Sequence, residues 1–86
     1  MFEKIQIVNS NKNRKEVYLI TIISLEKYKS IYLAYTEEEP NEGNNTIMFG
    51  KIKEKKGIKY LNDIQDKQEF NDLLLEFNKE LNRNDT

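Results

Sequence analysis

The sequence predicts an α+β fold: an antiparallel sheet of four or five strands with one C-terminal helix packed on one face. Two observations predict it. Up to Leu61, apolar residues recur with a period of two, or in short β-branched and aromatic blocks separated by turn residues. From Asp63 to Leu81, DIQDKQEFNDLLLEFNKEL, the period becomes helical. A chain of 86 residues holds one small domain. Its expected span is 1–82, with residues 83–86 as a frayed polar tail.

The first strand is expected over Glu3–Val8, EKIQIV, with Ile5 and Ile7 on one side. Asn9–Asn13, NSNKN, is a turn cluster. Lys15–Ser24, KEVYLITIIS, is the clearest strand, rich in β-branched and aromatic residues. Strict alternation places Val17, Leu19 and Ile23 on one face and Tyr18, Ile20 and Ile22 on the other. Both faces are apolar, so this strand should be central and covered twice. After a short connection, Leu25–Lys29, a third strand follows at Ser30–Thr36, SIYLAYT. Glu37–Asn45, EEEPNEGNN, is an acidic loop with the chain's only Pro. Thr46–Lys53 resumes a strand, Glu54–Gly57 turns with Gly57 at positive φ, and Ile58–Leu61 is a short fifth strand.

The helix has its own signals. Asp66 is an N-cap, and Glu69 three residues later gives a capping-box variant. Phe70, Leu73, Leu74, Phe77 and Leu81 form one apolar stripe, with Leu75 at its edge. Asp72, Glu76 and Glu80 should face water. One helix covers one sheet face. The apolar second face then needs a curled sheet, a second copy or a partner.

Several chemistries are excluded by residue type. With no Cys there is no disulfide and no thiolate chemistry, and with no His the commonest general base and metal ligand are missing. No phosphate-cradling glycine loop is present. Glu37, Glu38, Glu39 and Glu42 lie in the loop without the ligand spacing of a Ca²⁺ site and read as a solvated acidic loop. No catalytic residue, cofactor or metal site is therefore expected. No apolar run is long enough for a membrane span. The N-terminus lacks the apolar core of a signal peptide, so a cytoplasmic, non-enzymatic protein is the expectation.

Charge is segmented. Residues 1–36 carry +3, 37–45 carry −4, 46–61 carry +4 and 62–86 carry −4. The chain resembles the YrzB-like family of small bacterial proteins of unknown function. The resemblance rests on YKSIYLAYTEEE and NTIMFGKIKEKKGIKYLNDIQDKQEFNDLLLEFNKEL. Its elements are Tyr28, Tyr32, Glu37–Glu39, Gly57, Tyr60, Leu61, Ile64, Asp66, Phe70 and Phe77. It implies strands, an acidic loop and a terminal helix, and it carries no active site.

Two candidate surfaces follow. Tyr18, Ile20, Ile22 and Tyr32 form a candidate partner-binding face, suited to an unknown protein or a second copy through a sheet face or edge. That makes a protein-interaction or regulatory module the first expectation; an inhibitor of a host protein encoded by a phage is a variant of it. The alternative is an RNA- or ribosome-associated module. It would use Lys51, Lys53, Lys55, Lys56, Lys59 and Tyr60, since basic residues with an aromatic on a β-surface suit single strands. Alternating Lys is also ordinary edge-strand protection.

Overall fold

A computed structural model of the chain describes residues 2–40 and 46–83. Five strands, β1 (Lys4–Val8), β2 (Arg14–Leu25), β3 (Ser30–Thr36), β4 (Met48–Lys55) and β5 (Ile58–Asn62), precede one helix, α1 (Lys67–Arg83). Each strand lies antiparallel to the next. The sheet, in the order β1-β2-β3-β4-β5, closes into a barrel. The expected simple antiparallel sheet is therefore corrected, although the α+β class holds. Every connection up to β5 reverses the chain, so the first and fifth strands point the same way. Closure must be parallel, and it is made at one register pair, Val8 with Tyr60.

Closure answers the need for cover on two faces. The barrel encloses Ile7, Val17, Leu33, Tyr35 and Leu61, with Ile5, Leu19, Met48 and Ile52 packed on them. Outside the wall, α1 brings Leu73 and Phe77 onto Ile23, Tyr32 and Ala34. β3 lies between the two cores, so Tyr32 to Thr36 are all buried. Thr36, the polar one, donates from Oγ1 to the Glu38 carbonyl at 2.6 Å, which satisfies its hydroxyl.

A register shift between Leu19 and Thr21 in β2 overturns the expected alternation. Ile20 is the extra residue of a bulge. Before it, Val17 and Leu19 point into the barrel. After it the parity is reversed: Ile23 points outward beneath α1, while Ile22 pairs with inward-facing Leu33. The connections follow their turn chemistry. Asn9 Oδ1 accepts from the amides of Asn11 and Asn13, both at 3.0 Å. Glu26–Tyr28 form a 3-10 turn ended by Lys29 at φ 50°. Lys56 at φ 52° and Gly57 at φ 80° make the two-residue hairpin loop, as positive φ at both positions requires.

α1 starts where expected: Asp66 Oδ2 accepts from the Glu69 amide at 2.9 Å. Its buried line, however, runs Glu69, Leu73 and Phe77. Phe70 and Leu81 stand at the margin of the contact, and Leu75 is 62% exposed. Asp72, Glu76 and Glu80 are half-buried rather than facing water. Phe49 of β4 holds the helix edge-on, with its ring centroid 5.1 Å from Phe77 and 6.0 Å from Phe70. Arg83 closes α1; residues 84–86 of the expected tail and 41–45 of the acidic loop lie outside the described residues.

Candidate functional site

Polar side chains fix α1 to the wall at two places. Tyr32 donates its phenol to Glu69 Oε2, and Lys51 Nζ approaches the same oxygen at 2.7 Å. Glu69 is 7% exposed. The Lys51 ammonium, then the Tyr32 phenol, hold its carboxyl below the usual range. Burial, then the bond to Glu69, pushes the Tyr32 phenol up to about 12. One turn along, Tyr28 donates to Asp72 Oδ2 at 2.6 Å. Gln68 Nε2 reaches Oδ1 at 3.0 Å, and Lys27 Nζ lies 3.4 Å from Oδ2. The Asp72 carboxyl is lowered chiefly by Tyr28, whose own phenol is raised to about 12 by that bond. Both clusters are internally satisfied and join barrel to helix. Glu69 thus does not fold back to complete a capping box.

The candidate partner face is divided by these contacts. Tyr32 is fully buried beneath α1, and Ile20 packs against the same core. Ile22 lies on the opposite side of the sheet, 56% exposed at one end of the barrel, near Ile31. Tyr18 faces outward beyond the helix, with Lys4 Nζ 5.3 Å from its ring centroid. These four residues do not make one open surface.

The hairpin residues separate as well. Lys51 is committed to Glu69. Lys59 pairs across the hairpin with Glu54, on the inward parity. Lys56 sits in the turn. Lys53, Lys55 and Tyr60 remain on the outer face.

There they join residues from the other end of the sheet. The register reads Lys53 beside Tyr60, Tyr60 beside Val8, and Val8 beside Arg14. Inward-facing Ile7, Ile52 and Leu61 put the neighbouring Lys53, Tyr60 and Val8 outside by the period of two. The result is one row across β4, β5, β1 and β2: cation, aromatic, aliphatic, cation. Beside it lies a depression of about 480 Å³ whose lining includes Val8, Lys12, Arg14, Ile58, Tyr60 and Asn62. Among the described residues Lys12, Arg14, Lys53 and Lys55 make no ion pair. Glu16, on the same outer parity as Arg14, lies 4.0 Å from Lys4.

Lys12, Arg14 and Val8 are not among the candidates read from the sequence. Val8 showed only as an outward residue of a strand, and nothing local links it to Tyr60. No group of acidic residues suited to a metal ion occurs among the described residues. No helix there is long and apolar enough to cross a membrane. Comparison with family models, curated proteins and solved structures finds no match.

Proposed function

We propose that this chain is a non-enzymatic binding module for an anionic partner. Its contact surface is the outer face around Lys53, Tyr60, Val8 and Arg14, away from the parts of β2 and β4 that α1 covers. The observation that carries this reading is the row Lys53, Tyr60, Val8, Arg14, with Lys12 and Lys55 close by and in no ion pair among the described residues. A chain of net charge −1 gathers cations on one side and places its acidic helix on another, which suits oriented capture of an anion. The test is retention on a sulfated-polysaccharide matrix at neutral pH and low salt. The wild type should be retained, the double variant Arg14→Glu/Lys53→Glu should flow through, and Lys67→Glu at the start of α1 should behave as wild type. Retention that is equal in the double variant sinks the reading.

A second reading rests on Ile22 and Ile31, 56% and 48% exposed and diagonal to each other at one end of the barrel. Such a patch supports contact with a protein, including a second copy. Sedimentation equilibrium tests the self-association arm. A dimer that Ile22→Lys dissociates supports it, and a monomer at all concentrations removes it.

A further inference from the structure

We infer that the anion taken by this face is a single strand of nucleic acid, with a base stacked on Tyr60 and phosphates held by Arg14 and Lys53. This rests on the binding-module reading above and adds the ligand to it. Three features select this occupant. First, the cations stand at both ends of the row, not in one cluster. Neighbouring strands are ~4.8 Å apart, so two cations three strands apart can contact separate phosphates of one chain.

Second, the middle of the row is apolar. Tyr60 is half-buried, with Val8 beside it and Ile58 lining the same depression. An aromatic ring supported from the side, on a β-surface between cations, is a base-stacking platform. Carboxylates of an acidic peptide would gain nothing from it. Third, the surface is a barrel wall, convex across the strands. It has room for a splayed strand and presents no helix or ribbon to enter a duplex groove. Lys12 and Lys55, two residues along the chain from Arg14 and Lys53, add positive charge beside both end cations.

The experiment is fluorescence anisotropy with short labelled oligonucleotides, single-stranded RNA and DNA of one sequence and their duplex, with labelled poly-glutamate as the competing polyanion. All are titrated with the full chain across a salt series. Both single strands should bind more tightly than duplex or poly-glutamate. Tyr60→Leu should weaken single-strand binding at least ~5-fold, the lower end of one stacked base, and leave retention on the sulfated matrix unchanged. Tyr60→Phe should keep wild-type affinity. Arg14→Gln/Lys53→Gln should reduce the log–log salt slope by about 1.4, the value for two single-strand phosphates.

RNA bound more tightly than DNA would assign the ligand to the 2′-hydroxyl class, while equal binding would leave it as single strands of either kind. Equal binding of single strand, duplex and poly-glutamate, with Tyr60→Leu silent, overturns the inference and leaves the polyanion module standing. No binding to any oligonucleotide overturns the inference, and no retention on the sulfated matrix either removes both. Circular dichroism checks the fold of each variant. Arg14 and Lys53 are exposed, so their salt slopes and the strand-against-duplex preference decide the matter even where Tyr60→Leu does not fold.

Discussion

Gly50 is opposite Leu33 on the inner wall, where Leu61 crosses from the next strand. A Cβ added there would sit 2.6 Å from both Cγ and Cδ1 of Leu61. The branch point of Leu61 cannot swing aside as a flexible chain end would, so the strands themselves would have to part. Gly50→Ala should therefore destabilise the fold by about 1–3 kcal/mol. The urea midpoint measures this, with an unchanged slope as the sign that only packing was lost. The sequence shows an isolated Gly inside a strand pattern, which signals close approach of something. It does not say what, because Leu61 reaches Gly50 only after β5 has paired with β4. Gly57 is different. Its need for positive φ is local, and its place in the hairpin loop can be read before any tertiary contact is known.

At the scale of the element, α1 is legible in its existence, its cap and its period, but not in its rotation. Five apolar positions define a stripe centred between Phe70 and Leu74. In the fold the centre moves to Glu69, Leu73 and Phe77, because Tyr32 and Lys51 offer Glu69 a better site than water does. A hydrophobic pattern alone ranks Glu69 as a cap and nothing more. Leu73 is fully buried, so Leu73→Ala should cost about 2–5 kcal/mol. Tyr32→Phe removes only the donor to Glu69 and should cost less, roughly 1–3 kcal/mol. Chemical denaturation of the two variants checks the order. β2 misleads in a similar way. Its composition announces a strand with two apolar faces, but no residue type marks Ile20 as the bulge that reverses the parity beyond it.

For the whole molecule, the polar links between helix and barrel set the pH range. The carboxyls of Glu69 and Asp72 are lowered in the fold, by Lys51 and Tyr28 respectively as the first cause. A depressed folded pKa gives stability that is present above the ordinary carboxylate value and lost as pH falls through the folded one. Tyr28 and Tyr32, each raised to about 12, act in the opposite direction. Their contribution is complete below the ordinary phenol value of ~10 and is lost as pH rises towards 12. Melting temperature against pH should show a plateau that declines at both ends. Tyr28→Phe/Tyr32→Phe should flatten the alkaline decline; a decline as steep as wild type would separate those phenols from the effect.

Closure of the sheet was the least legible feature. It depends on the number of strands and on a pairing between Val8 and Tyr60, which local patterns do not report. The candidate surface shares this origin, since its two halves come from opposite ends of the strand sequence and meet only in the finished barrel.

That single parallel pair also makes the barrel a ring with one thin join. A chain that contacts Lys53 on one side and Arg14 on the other crosses the join like a clasp. Each end would then grip a different hairpin, β4–β5 or β1–β2, and to open the ring would mean letting go of the ligand. The barrel closes without a ligand, but a strand that binds only the closed ring would favour it over any open form.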